Sequence, residues 1–207
     1  MSIEFIDCEQ GSPEWFKARL GIPTASEFDT VMRKGGKGPG GTSKERRTYM
    51  LKLIGERMTG EPAENYSNAH MERGRVMEAE ARKTYAFIND VEPIPVGFIR
   101  NGDKGASPDS LIDEGGLLEV KTKLPHLQLE VLLAGVLPPE HKPQVQGQLW
   151  VAEREWCDFV SYWPKLPPFI HRVYRDEAYI TELANGVAQF MDELVALQAK
   201  VSGGVAA

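Results

Sequence analysis

The residues whose types and spacing best suit chemistry are Ser107-Pro108-Asp109 and, after nine intervening residues, Glu119-Val120-Lys121. An antiparallel hairpin can bring the end of one strand beside its partner, so Asp109 and Glu119 are expected to converge. Side chains alternate along a strand, so Glu119 and Lys121 share one face while Leu118 and Val120 take the other. Two carboxylates on one face offer hard oxygen ligands for Mg2+. A lysine beside them can orient or deprotonate an attacking water, which completes the equipment for metal-assisted phosphodiester hydrolysis. A second Glu-x-Lys stands at Glu140-His141-Lys142, but it lies between prolines and has no Asp ten residues before it. The alternative reading of the first set is an exposed strand with a cross-strand Glu/Lys pair.

The flanking segments extend the set. Gly74-Arg75-Val76-Met77-Glu78 falls in a helical stretch, where Glu78 can supply a third carboxylate or simply pair with Arg82 at i,i+4. The stretch from Trp15 to Glu27 places Arg19, Thr24 and Ser26 around a Gly-Pro turn at a helix start. A guanidinium fork, hydroxyls and free N–H groups converging there suit a phosphate. Plain helix capping by Thr24 or Ser26, with Arg19 in a salt bridge, is the other reading. Gln144, Gln146 and Gln148 sit on a helix carrying Trp150, with Gln144 and Gln148 on one face. Glutamines so placed are ordinarily solvated.

These residues need elements to hold them. Ser12-Pro13-Glu14 is an N-cap, a proline at the first helical position and an acid in the first turn, opening a short helix to about Leu20. The segment capped by Thr24 or Ser26 ends in the loop GGKGPGG. Ser43 caps a helix whose Met50, Leu51, Ile54 and Met58 recur at helical spacing, up to Gly60. A longer helix is expected over residues 69–88. From Val91 the segments VEPIPVGFIR, ASPDSLID and GLLEVKTK read as three antiparallel strands. Helices follow near residues 126–134 and 139–154, and then WCDFVSYWP and FIHRVYR read as strands. An amphipathic helix over about 177–201 and a frayed tail, 202–207, close the chain. The order predicts an α/β (α+β) fold with a central mixed β-sheet flanked by helices, in one domain spanning 1–207.

Composition narrows the classes. The 207 residues are 42% hydrophobic and 26% charged, which excludes collagen-like and wholly disordered chains. Cys8 and Cys157 form no CxxC pair, so a zinc site built on cysteine is excluded and a reduced, cytoplasmic setting is expected. The longest apolar stretch, 131–137, falls short of the ~20 residues that cross a bilayer. The first seven residues carry two acids and no base, unlike a signal peptide. No G-x-S-x-G or GxxxxGK[ST] occurs, and His70, His126, His141 and His171 lack motif context, which argues against Ser/His hydrolases and P-loop ATPases. The net charge of −6 is unevenly spread: residues 33–47 hold six bases and one acid, whereas 176–199 hold five acids and no base. A local cationic surface is therefore compatible with an acidic total.

In order along the chain, W-x3-R-L-G-x-x-T-A-S at Trp15–Ser26, G-R-x-x-E at Gly74–Glu78, S-P-D at Ser107–Asp109, E-V-K at Glu119–Lys121 and Q-V-Q at Gln144–Gln146 resemble the phage lambda exonuclease / YqaJ-type viral recombinase family, within the PD-(D/E)xK nuclease superfamily. The resemblance implies a restriction-endonuclease-like core. It also implies a 5'-to-3' exonuclease that digests one strand of linear duplex DNA from 5'-phosphorylated ends, yielding mononucleotides and a 3' overhang for strand-annealing recombination. Mg2+ is the implied cofactor, as two ions, with Mn2+ able to substitute. Carried over residue by residue, Glu78, Asp109, Glu119 and the Val120 carbonyl would bind metal. Lys121 would position and activate the water. Arg19, Thr24, Ser26, Ser107 and Gln146 would hold the 5'-phosphate and the DNA end, and Met71 would match an apolar wedge that splits the terminal pair. The implied partners are duplex DNA ends, two further copies in a homotrimeric ring and a single-strand annealing protein, with no membrane. Rival readings are a sequence-specific endonuclease of the same superfamily and a catalytically silent DNA-end binding module.

Overall fold

The computed structural model describes residues 2–33, 35, 43–63 and 69–204. In chain order the first elements are β1 (Ile3–Ile6), α1 (Pro13–Ala18), a 3-10 turn (Ala25–Glu27), α2 (Phe28–Met32), α3 (Lys44–Thr59) and α4 (Ala69–Asn89). The strands β2 (Ile94–Pro95), β3 (Phe98–Asn101), β4 (Lys104–Ala106), β5 (Ser110–Ile112) and β6 (Gly116–Thr122) follow. The chain ends with α5 (Pro125–Ala134), α6 (Lys142–Ala152), β7 (Trp156–Tyr162), β8 (Phe169–Tyr174) and α7 (Glu177–Gly204).

The central sheet runs β2-β5-β6-β7-β8 and is mixed. Hairpins join β5 to β6 and β7 to β8 antiparallel, while β6 and β7 lie parallel, which needs the long crossover that α5 and α6 provide. Alternation along β6 feeds two cores. Leu117 packs with Phe159, Val145, Leu149 and Phe190 on the side of α6 and α7. Leu118 and Val120 pack with Ala81, Tyr85 and Val160 on the side of α4. Burying each such side chain contributes about 1.5–3 kcal/mol. A one-residue slip of β6 would turn Leu118 and Val120 toward α6 and drive Glu119 into the apolar layer beneath α4, where an unpaired carboxylate is strongly disfavoured. The apolar residues therefore fix the register that aims Glu119 and Lys121.

The two serine caps form as expected, whereas Thr24 precedes the 3-10 turn without a side-chain cap bond. The Ser12 side chain accepts from the Trp15 N–H, the Ser43 side chain from the Arg46 N–H, and Gly60 ends α3 with φ 74°. Gly147 on α6 faces Phe28, whose ring a Cβ there would overlap, so this glycine lets α6 lie close to α2.

Four sequence readings need correction. The segment ASPDSLID, read as one strand, has Ala106 at the end of β4 in one sheet and Ser110–Ile112 as β5 in the other. The segment VEPIPVGFIR is two strands in two sheets: β2 pairs with β5, whereas β3 pairs with β1 and β4. Val96 and Gly97 lie between these strands, and Gly97 sits so close to the Cys8 backbone that a Cβ would overlap it. The N-terminal residues Ile3–Ile6, which carried no strand expectation, complete that second sheet. The terminal helix continues to Gly204, so residues 202–204 are helical, and 205–207 lie outside the described residues. In the basic segment, Arg33 pairs with Asp29 at 2.8 Å and the buried Arg46 pairs with Glu193 of α7 at 2.5 Å. Lys34 and residues 36–42 lie outside the described residues.

Candidate active site

Asp109 stands just before β5, and its N–H donates to the Leu118 carbonyl at 3.0 Å, which sets it beside β6. Its Oδ2 accepts from the Val120 N–H at 2.5 Å, so the hairpin itself holds the carboxylate in place. Glu119 is buried, 2% exposed, with every oxygen engaged. Oε1 accepts from Gln144 Nε2 at 2.7 Å and pairs with Lys121 Nζ at 2.5 Å, and Oε2 accepts from Gln148 Nε2 at 2.6 Å. From the opposite face of the sheet α4 brings Glu78, paired with Arg82 Nη2 at 2.5 Å, and the same Nη2 donates to the Asp109 carbonyl at 3.3 Å. Both readings of Glu78 thus meet in one place.

The electrostatics follow from crowding buried carboxylates. Burial, followed by the charges of Glu119 and Glu78, pushes the Asp109 carboxyl well above the usual carboxylate range. Burial also raises Glu78, against the pull of Arg82, with Glu119 adding to the rise. Burial disfavours the Lys121 ammonium, but Glu119, Asp109 and Glu78 outweigh it and hold its pKa above the ordinary lysine value. The cluster is short of positive charge, and Lys121 supplies part of it. Among the described residues, no three acidic, His or Cys side chains stand close enough together to hold a metal ion as they are.

A second group forms where α1 turns toward the 3-10 segment. Arg19 lies 4.0 Å from the Trp15 ring centroid, and its Nη2 donates to Thr24 Oγ1 at 3.1 Å. The Thr24 and Ser26 hydroxyl oxygens are 3.3 Å apart, and Trp15 Nε1 donates to Ser107 Oγ at 2.8 Å. Because Ser107 accepts from the indole, its own O–H remains able to donate elsewhere. Burial lowers the Arg19 pKa, while Tyr49, Glu27 and Glu56 work in the other direction. The turn is clamped from α3: Glu56 accepts from the Gly21 N–H at 2.9 Å, Arg57 Nε donates to the Gly21 carbonyl at 2.6 Å, and Tyr49 OH accepts from the Thr24 N–H at 3.2 Å. Gly21 has φ +68°, and a Cβ there would press on Arg57 at 2.6 Å, so the clamp depends on glycine.

One open cleft of about 1330 Å3 joins the two groups, lined at one end by Trp15, Arg19 and Thr24 and at the other by Glu78, Asp109 and Lys121. The structure therefore brings together Glu78, Asp109, Glu119, Val120 and Lys121, and separately Arg19, Thr24, Ser26 and Ser107. It does not bring Gln146 to either group. Gln146 donates to the Tyr174 carbonyl at 2.9 Å and accepts from the Asp176 N–H at 2.9 Å, so its amide ties α6 to the start of α7. Gln144 and Gln148, which sequence reasoning read as solvated, are the glutamines that reach Glu119. Their i,i+4 spacing on a helix buried on most sides was the available signal. The Met71 side chain lies outside the described residues.

Comparison with known proteins places this geometry. The model of the YqaJ-like viral recombinase domain matches residues 14–155. A crystal structure of LHK-Exo in complex with dAMP superposes with a TM-score of 0.84 at 37% identity, over 94% of this chain and 98% of that one. A second structure, of the alkaline exonuclease LHK-Exo from Laribacter hongkongensis, gives 0.83 at 35% identity with the same coverage. A phage-related exonuclease from Haemophilus somnus 129PT shares the fold, with a TM-score of 0.64 at 13% identity over 87% of this chain. A comparison with curated proteins finds no significant match. Among the described residues no helix is long and apolar enough to cross a membrane. With its structural relatives exonucleases of the lambda-exonuclease-like PD-(D/E)xK fold, and with the family model matching residues 14–155, the chain belongs to the YqaJ-like viral recombinase family.

Proposed function

We propose that the chain is a Mg2+-dependent 5'-to-3' exonuclease that digests one strand of linear duplex DNA from 5'-phosphorylated ends. It releases mononucleotides and leaves a 3' overhang for recombination by strand annealing. The observation that carries this reading is the shared cleft, with an anion-suited Arg19 group at one end and the buried carboxylates and Lys121 at the other. An end-gripping site beside a cutting site is the geometry a stepwise exonuclease needs. The dAMP complex of LHK-Exo, a relative holding a single nucleotide, supports mononucleotide release.

The residues present fit a divalent cation. The donors are hard oxygens. Three carboxylates, Glu78, Asp109 and Glu119, face the two cations Arg82 and Lys121, and the buried Gln148 Oε1 has no hydrogen-bond partner. Asp109, Glu119, Glu78 and the Val120 carbonyl would hold two Mg2+, or Mn2+ in their place, and bound metal would acidify the attacking water and stabilise charge on the phosphate. Gln144 and Gln148 keep Glu119 oriented. Lys121, tethered to Glu119, orients the water and carries or receives a proton at Nζ. Arg19, Thr24, Ser26 and Ser107 grip the terminal phosphate, and Met71 acts as the wedge. A homotrimeric ring would enclose the duplex, with an annealing protein taking up the overhang.

Removing Arg19 should blur end recognition. A charged hydrogen bond to phosphate contributes about 1.5–3 kcal/mol, so Arg19→Ala should cut the preference for 5'-phosphate over 5'-hydroxyl duplex by roughly 10- to 100-fold. Competition between the two substrates measures this, and an unchanged preference would remove Arg19 from the site.

Proton linkage gives a second expectation. Carboxyls raised in the folded state contribute stability that is present below their unfolded pKa, about 4, and is lost as pH rises through their folded values. The metal-free protein should therefore lose Tm as pH climbs above the ordinary carboxylate range. Mg2+, competing with those protons, should raise Tm more at mildly alkaline than at mildly acidic pH. Thermal melts with and without Mg2+ test this, and an increment independent of pH would contradict it.

The reading as a whole is tested with linear duplex and supercoiled circle, each with Mg2+ or EDTA. Mononucleotides should come from the linear DNA alone, and only with Mg2+. Cutting of the circle would favour an endonuclease, and no cutting at all a silent DNA-end binder.

A further inference from the structure

Among the described residues, two buried side-chain atoms lack a hydrogen-bond partner, Arg82 Nε and Gln148 Oε1. Both belong to side chains that grip carboxylates of the site: Arg82 holds Glu78, and Gln148 holds Glu119. An unpaired buried polar atom costs about 1–3 kcal/mol, whereas an i,i+4 ion pair on a helix contributes only about 0.3–0.5 kcal/mol. Stabilising α4 is therefore too small a reason to sink this guanidinium. A larger one lies in its second bond. The single atom Nη2 reaches Glu78 Oε1 at 2.5 Å and the Asp109 carbonyl at 3.3 Å. One nitrogen thus ties the carboxylate carried by α4 to the backbone of the residue bearing the carboxylate at β5. The grip engages Oε1 and leaves Oε2 uncommitted among the described residues.

We propose that Arg82 is a positioning residue for the divalent-cation site, bracketing the Glu78 carboxylate to the Asp109 backbone so that Glu78 meets the cation at the right place. This rests on the reading of Glu78 as a ligand. Groups that orient a metal's ligands typically change affinity 10- to 100-fold when removed. Lysine has the charge, but its ammonium sits on a shorter, unbranched stem and is not fixed in a guanidinium plane, so it is not held at the Nη2 position between the two acceptors.

The test is calorimetric titration of the DNA-free, full-length protein with Mn2+, for wild type, Arg82→Gln, Arg82→Lys and Glu78→Gln. Arg82→Gln should weaken Mn2+ binding about 10- to 100-fold, with Arg82→Lys between it and wild type. Binding of 5'-phosphorylated duplex in EDTA should change little for both. If Glu78→Gln weakens binding but Arg82→Gln stays within about twofold of wild type, or binds more tightly as a relieved repulsion would give, the bracket is overturned and the proposed function stands. If Glu78→Gln itself has no effect, the ligand role of Glu78 falls and the bracket with it. Should Arg82→Gln fail to fold, Arg82→Lys carries the comparison, and wild-type affinity in it overturns the proposal.

Discussion

Lys121→Ala should bind 5'-phosphorylated duplex with nearly wild-type affinity and cut it about 100- to 10,000-fold more slowly, the range expected when a positioned proton-transfer group is lost. The fold should survive, because Glu119 keeps Gln144 and Gln148 as partners when the ammonium leaves. The end-gripping group should survive too, since Arg19 and Thr24 are held by Trp15 and by the α3 clamp rather than by Lys121. Binding and cutting should therefore separate. Single-turnover nucleotide release beside fluorescence anisotropy measures both, and near wild-type cutting would remove Lys121 from the chemistry.

Glu119→Gln should be at least as severe and should differ in kind. The substitution is isosteric, yet it places an amide N–H₂ where Gln144, Gln148 and Lys121 all donate. Gln148 must then turn its amide so that Oε1 accepts from the new N–H₂, or one donor faces another at a cost of about 1–3 kcal/mol. The greater loss is in charge. Without the Glu119 carboxylate, the Asp109 carboxyl loses the larger of the two like charges acting on it and should move down, though burial still holds it raised. Lys121 loses the first of the charges that raise it. The variant should show neither detectable nucleotide release nor a rise in Tm on adding Mg2+. A Mg2+-dependent Tm increment equal to wild type would show that the cation binds elsewhere.

The two predictions separate because the proposed function gives Lys121 the proton and Glu119 the cation. They also reflect which parts of the site sequence spacing could reach. Asp109, Glu119 and Lys121 were legible because a hairpin converts a ten-residue spacing into proximity, and alternation along β6 converts i,i+2 into a shared face. Arg19 and Thr24 were legible because both lie within one turn of chain. Gln144 and Gln148 were not. Their role depends on α6 presenting that face to Glu119, a long-range placement that the i,i+4 spacing alone does not fix. The same gap misplaced Gln146, which shares their segment but points toward the start of α7. At the level of the fold, the helices were clear from caps and periodicity. The region 94–106 was not, because two short strands separated by Val96-Gly97 look like one strand until β1, far away in sequence, claims the second.

The charge distribution, too, means something different in three dimensions. Arg46, part of the basic segment, is buried against Glu193 of the acidic terminal helix. Part of the apparent polarity of the chain is therefore spent inside it. The positive character relevant to a phosphate lies instead at Arg19 and Lys121, both facing the cleft.

The central claim, a cation-dependent cut that proceeds from a gripped 5' end, is tested most directly by following two labels on one linear duplex. With Mg2+, a 5'-terminal label should appear at once as a mononucleotide, while a 3'-terminal label on the same strand stays in polymer until late, and EDTA should stop both. Early release of the 3' label, or equal release in EDTA, would contradict the account.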